Sequence, residues 1–274
     1  MARVLAISSF VAYGHVGLSA AVPTLTRMGH EVIAVPTVML SSHYGHQHVS
    51  GFELDTTDLS GMLGALRKNG WLQDIDAVLT GFMPDPEVVA FIARELERIG
   101  EDQPETLYLC DPVLGDDPDG LYVREEVATA VRDKLMPLAD ILTPNRFELS
   151  WLTGLQVEDA ESADAAAQET GAEIVMATSI PAGDGLVANV LSDESGCGLA
   201  AQPFRIGVPH GTGDLISALV LGHLLDGFDN AEAMARAAAG VRIVIEASLG
   251  SSELNLAEAL GRAVAADPAP LSEI

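Results

Sequence analysis

Lysine occurs only twice in 274 residues, at Lys68 and Lys134, and Lys and Arg together number 14 against 40 Asp and Glu. The formal net charge is −26, and no basic stripe exists to neutralise a nucleic-acid backbone. An anionic membrane surface is equally unwelcoming. No G-x-x-x-x-G-K-[ST] motif is present, which removes the P-loop nucleotide enzymes. No G-x-G-x-x-G follows the first apolar run either, only Tyr13-Gly14-His15-Val16-Gly17, which disfavours a dinucleotide-binding dehydrogenase. Cys110 and Cys197 are too few for a disulfide framework and fit a reducing compartment. No apolar run reaches the roughly 18 residues of a membrane span. The N-terminal run Val4-Leu5-Ala6-Ile7 is interrupted by Ser8 and Ser9, and then by Tyr13, Gly14 and His15, so a secretory leader is not expected. The expectation is a cytoplasmic protein. If it binds a nucleotide, metal ions and helix N-termini must offset the charge.

What is present alternates. Val4–Ser9 reads as a buried strand, followed by a glycine-rich turn and a helix to about Met28. Glu31–Pro36 is a second strand, and 37–51 reads as a polar, histidine-rich loop or small β-excursion of the kind that covers a site. Helices are expected at Asp58–Asn69, Pro86–Ile99 and Arg124–Met136, with strands at Ala77–Thr80, Thr106–Cys110 and Ile141–Thr143. A helix from Arg146, another at Ala160–Thr170 and a strand at Glu173–Ala177 come next. Strands near Leu186–Leu191 and Leu199–Phe204 precede three closing helices. The pattern predicts an α/β fold of one domain over 1–274, a mainly parallel sheet covered on both faces.

One stretch organises the rest. Val208-Pro209-His210-Gly211-Thr212-Gly213-Asp214 runs directly into a helix whose apolar residues fall at Leu215, Ile216, Leu219, Val220, Leu224 and Leu225. Glycines there let the backbone turn and approach a ligand, and the helix's unpartnered N–H groups attract an anion, most often phosphate. Asp214 beside such a site fits a base acting on an alcohol that attacks the phosphate; helix capping is the alternative. Ligands in open parallel sheets lie beyond the carboxyl ends of strands. Polar residues stand there at Ser8-Ser9, Thr80-Gly81-Phe82, Asp111, Thr143-Pro144-Asn145 and Thr178-Ser179. Asn145 and Glu148, three residues apart, suit either Mg²⁺ or a helix cap, with Asp111 and Asp116 as further oxygen donors or turn formers. His43, His46 and His48 lack cysteine partners and read as a lid or solvated loop in preference to a metal site. His15 and His210 border the two glycine-rich turns, whereas His30 and His223 read as structural.

These pieces, in this order, resemble the ribokinase superfamily and, within it, the pyridoxal kinase group, over most of the chain. The resemblance is carried by 8–17, by Thr37-Val38 with Ser41-Ser42-His43, by Leu79-Thr80-Gly81-Phe82 and by 111–116. It continues through 143–149 and Gly211-Thr212-Gly213-Asp214. It implies a three-layer sandwich with a small lid segment, and ATP-dependent phosphorylation of the 5′-hydroxymethyl group of pyridoxal. Position by position, Asp214 would be the base and the amides of Gly211, Thr212 and Gly213 the anion hole. Glu148, Asp111 and Thr143 would organise Mg²⁺ and a monovalent cation, K⁺ in this family. Thr178 and Ser179 match nucleotide-contacting positions, with Asp116 and Tyr122 near the triphosphate. Ser9, Val38, His43 and Phe82 would face the pyridine ring, with Tyr44 beside them. A homodimer is also implied.

Several positions depart from the group's pattern. Ser8 stands for Gln, Phe10 for His, Leu18 for Asn, Ser42 for Asn and Tyr44 for Thr. All lie on the vitamin side, so a kinase for hydroxymethylpyrimidine or another small alcohol is the alternative. The hydroxymethylpyrimidine kinases usually carry Cys where this chain has Asp214, which favours pyridoxal. From another class, a non-catalytic binder retaining the fold would be expected to lose Asp214 or the glycines; both are intact.

Overall fold

The computed structural model describes residues 1–273. Strand β1 (Arg3–Val11) leads through the turn at 12–17 into α1 (Leu18–Arg27), and β2 (Glu31–Leu40) returns parallel to β1. β2 is longer than its sequence suggests: 37–40 continue the strand and 38–40 pair with β3 (Gly51–Glu53), leaving only 41–50 irregular. α2 (Thr56–Lys68) opens on a reciprocal cap between Asp55 and Asp58. β4 (Ala77–Thr80) and α3 (Pro86–Asp102) follow; Asp85 caps α3 and Pro86, preset for a first turn, begins it.

After β5 (Leu107–Cys110) the chain makes a small hairpin of β6 (Gly115–Asp116) and β7 (Gly120–Leu121). The helix expected over Arg124–Met136 is α-helical only in α4 (Glu125–Ala130). Wider π turns carry Val131–Leu135 and a 3-10 turn Met136–Leu138. Pro137 accounts for the change, because its ring has no N–H and crowds the carbonyl a turn earlier. β8 (Ile141–Leu142), α5 (Arg146–Thr153) and α6 (Ala160–Gln168) lead to three strands, β9 (Ile174–Pro181), β10 (Leu186–Asp193) and β11 (Gly196–Pro203). The chain closes with α7 (Thr212–Leu225), α8 (Asn230–Ser248), α9 (Leu256–Ala263) and the short β12 (Ser272–Glu273).

Ten strands form one sheet in the order β12-β11-β10-β9-β8-β5-β4-β1-β2-β3, parallel from β9 to β2 and antiparallel at both ends. Alternate strand residues serve opposite faces. Leu5, Ile7, Val78, Cys110 and Leu142 pack under α2, α3 and α4, while Val4, Ala77, Leu79, Leu109 and Ile141 pack under α1, α7, α8 and α9. The expected three-layer sandwich is the architecture observed. α7 is buried all the way from Leu215 to His223, covered by α1 and α8 as well as by the sheet, so its apolar residues wrap the whole helix. No described helix is long and apolar enough to cross a membrane.

Strand order reverses at β1, which sits between β4 on one side and β2 on the other. A crevice beyond the carboxyl ends of β1 and β4 is the place such a sheet offers a ligand.

Candidate active site

Five polar residues, Ser8, Thr80, Asp111, Asp214 and Ser217, line a narrow cleft at that switch point together with Gly17 and Gly81. Ser8 and Thr80–Gly81 stand at the ends of β1 and β4, and Asp111 follows β5 directly. α7 delivers Asp214 from its first turn.

Helix capping does not account for Asp214. The N-cap of α7 is Gly211, left-handed at φ 104°, and no side chain caps the helix. A Cβ at Gly211 would fall on the carbonyl oxygen of His15, so the residue must be glycine both for its φ and for its space. Gly211 thereby brings the uncapped end of α7 against the 12–17 turn. The first-turn amides, those of Thr212 and Gly213 among them, have no intrahelical partner and bear the positive end of the helix dipole. Burial raises the Asp214 carboxyl to about 6, against the pull of the Gly17 amide and of its own. A carboxylate in that range is a proton acceptor near neutrality.

Two further carboxylates crowd the same place. Asp111 is buried and lifted well above the ordinary carboxyl range, first by desolvation and then by the charges of Asp214 and Glu148. Glu148, also buried, is pushed up to about 7 by desolvation despite three backbone donors. Its Oε1 accepts from Leu114 N–H at 2.8 Å and weakly from Gly115, and its Oε2 accepts from Asn145 N–H at 2.8 Å. Asn145 returns the bond to Glu148 N–H, completing a capping box at the start of α5. The cap reading of Asn145–Glu148 is therefore realised, and it fixes Glu148 beside Asp111. Thr143 joins through Ser217, whose Oγ lies 2.8 Å from Thr143 Oγ1 and donates to Asp111 Oδ2 at 2.9 Å. Ser217 was not among the sequence candidates. Its one signal is a lone hydroxyl, three residues after Asp214, in a run otherwise free of polar side chains to Gly222.

Asp116 and Tyr122 lie at the small hairpin, where burial raises both groups, Tyr122 to about 12. Thr178 and Ser179 stand differently from expectation. β9 runs through them to Pro181, so they lie inside the strand, not beyond its end. Thr178 N–H donates to Pro144 O, and Ser179 takes φ 61° where the β9–β10 register slips, the sign of a bulge that turns an exposed Ser179 off the ladder.

On the opposite side of the cleft, Ser9 and Val38 are buried. Val38 packs with Val11 and Leu40, and Phe82 leans on that group. Phe82 is held at both ends: its N–H donates to Ser8 Oγ at 3.1 Å and its carbonyl accepts from Thr37 Oγ1 at 2.7 Å. Tyr44 is largely exposed, its ring 6.4 Å from that of Phe82. His43 stacks at a tilt on His210 and His46, with centroids 4.7 and 4.2 Å away. Burial and the two neighbouring imidazoles lower its pKa, while Glu253 opposes them. His48 is exposed, and His30 is a packed structural residue whose Nε2 meets Gly222 O at 3.3 Å, as expected.

A family model described as phosphomethylpyrimidine kinase matches residues 13–257. The pyridoxal kinase of Corynebacterium diphtheriae is 37% identical over 262 residues, 93% of this chain and 92% of that protein. Among solved structures, pyridoxal kinase from Entamoeba histolytica superposes with a TM-score of 0.94 at 28% identity, covering 100% of this chain and 99% of that one. Pyridoxal kinase from Leishmania donovani in complex with ADP and pyridoxamine gives 0.91 at 30% identity, covering 98% of both chains.

Proposed function

The chain belongs to the phosphomethylpyrimidine kinase family, and from that membership we infer an ATP-dependent pyridoxal kinase acting on the 5′-hydroxymethyl group. The observation that carries the chemistry is Asp214, a first-turn carboxyl that caps nothing and is raised to about 6, at a glycine-led helix N-terminus. The acceptor hydroxyl loses its proton to the Asp214 carboxylate as its oxygen attacks the γ-phosphorus. The bond from that phosphorus to the bridging oxygen breaks, and ADP leaves. Negative charge on the equatorial oxygens is met by the amides of Gly211, Thr212 and Gly213.

Magnesium fits the donor set. Asp111, Glu148 and Asp214 are gathered into one field, and none of the ion pairs found among the described residues involves them. Oxygen donors with excess negative charge suit Mg²⁺, which keeps waters and shares phosphates. Asp111 and Glu148 would hold it, with Thr143 and Ser217 orienting Asp111. Bound there, the ion would offset charge on the triphosphate. A K⁺ ion near the same phosphates would serve where lysine is missing. Asp116, Tyr122, Thr178 and Ser179 would border the nucleotide, and Ser9, Val38, His43, Tyr44 and Phe82 the pyridine ring. Reading 1–274 as one kinase domain is supported by the unbroken ten-stranded sheet. Pairing as a homodimer is supported by Phe10, Met39 and Phe52, exposed apolar residues in register across β1, β2 and β3.

A panel of alcohols with ATP, read by ADP release, tests the substrate: pyridoxal should lead, ahead of hydroxymethylpyrimidine and sugars. Asp214→Asn should cut kcat by about 10²–10⁴-fold while ATP still binds. Unchanged turnover in that variant would remove the assigned base.

A further inference from the structure

Glu253 reaches into the histidine loop from the far end of the chain, and nothing in the phosphoryl-transfer scheme uses it. Its Oε1 lies 2.6 Å from His46 Nε2 and 3.7 Å from His43 Nε2. Its Oε2 is buried and has no hydrogen-bond partner. One ligand atom from each of His43, His46 and Glu253 can be chosen so that all lie within 4.8 Å of one another. His210 packs against His43 on the other side. From this cluster we propose a second metal site, for a divalent transition ion of the Zn²⁺ class, held by His43, His46 and Glu253 and separate from the Mg²⁺ of the phosphates.

The chemistry selects the ion. Two imidazoles and a carboxylate are the donors that Zn²⁺ accepts with an open fourth position, whereas Mg²⁺ prefers oxygen alone. Glu253 Oε1 is the oxygen offered to the ion, and Oε2, the one without a donor, is turned towards Gly14. The carboxylate is thus held in place by packing, its charge uncompensated by any arginine or lysine among the described residues. The net charge of −26 raises the local concentration of any cation. Filling the site exchanges two existing hydrogen bonds. The contact of His46 Nε2 with Glu253 Oε1 is replaced by bonds from both atoms to the ion, with the imidazole proton carried on Nδ1. Gly45 N–H, which donates to His43 Nδ1 at 3.1 Å, must pair with water when Nδ1 takes the proton that Nε2 gives up; Gly45 is exposed, so water is at hand. The bound ion would tie 41–50 to the segment before α9, over the substrate side of the cleft.

The test is calorimetric titration of the full chain with ZnCl₂, without nucleotide and with excess MgCl₂ to saturate the oxygen site. One equivalent should bind, and His46→Ala and Glu253→Gln should each weaken it by at least about tenfold. Circular dichroism and ATP binding verify that both variants fold. Co²⁺ in the unaltered protein gives an independent reading: visible d–d bands of a low-coordinate nitrogen and oxygen site should appear and be bleached by Zn²⁺. Absence of saturable Zn²⁺ binding, or binding that both variants leave intact, overturns the proposal.

Discussion

With Asp214 as the proposed base, its carboxyl should govern the pH dependence of turnover. Its carboxyl titrates at about 6 in the folded chain against an ordinary 3.8, chiefly because it is desolvated. The base must be ionised to act, so kcat/KM should fall as pH drops through about 6, and added Mg²⁺ should move that limb to lower pH by favouring the charged form. A flat profile from pH 5 to 8 would contradict the role. The same shift acts on stability in the direction opposite to an ordinary salt-bridged carboxylate. Between 3.8 and about 6 the native Asp214 holds a proton that the unfolded chain has released, and Glu148 does so between 4.5 and about 7. Both contributions therefore fall as pH rises through those windows. Asp214 was legible in the sequence because glycines and an apolar helix frame it. Ser217 left only one hydroxyl in an apolar run, and Glu253 left nothing, since 207 residues separate it from His46.

At the scale of elements, the strand-end rule found β4, β5 and β8 and the polar residues after them, because short apolar strands bounded by Thr-Gly, Asp-Pro and Thr-Pro carry both signals locally. It misplaced Thr178 and Ser179 because the extension of β9 is set by pairing with β10, a partner no local pattern reveals. The end of β2 was hidden for the same reason: 38–40 gain strand character from β3 across a polar loop. In the proposed scheme the turn at Gly211 is the element that presents the amides to the transferring phosphate. Gly211→Ala would force a methyl group onto the His15 carbonyl and demand φ 104° of an L side chain, so the N-terminus of α7 must shift. Loss of one preorganised oxyanion donor lowers kcat by about 10²–10³-fold, and that is the drop expected here. The measurement is steady-state kcat at saturating ATP and pyridoxal, with near-wild-type activity as the contrary result.

For the whole molecule the governing quantity is uncompensated charge. Fourteen basic side chains face forty acidic ones, and the arginine ion pairs that form are mostly at the surface, where each contributes little. Self-repulsion therefore opposes the compact state, and the Debye length sets its range, about 10 Å at 0.1 M salt and about 3 Å at 1 M. Raising ionic strength should stabilise the protein, whereas one held by surface ion pairs would weaken. A gain of about 1 kcal/mol moves the Tm of a chain this size by roughly 2–4 °C, so a rise of at least that much is expected between low salt and about 0.5 M. The choice of cation separates two causes. Screening acts equally through NaCl, KCl and tetramethylammonium chloride, whereas a K⁺ site beside the buried carboxylates adds an increment in KCl alone. A Tm that falls with all three salts would mean that attraction between surface charges outweighs repulsion, against the count of charges in the chain.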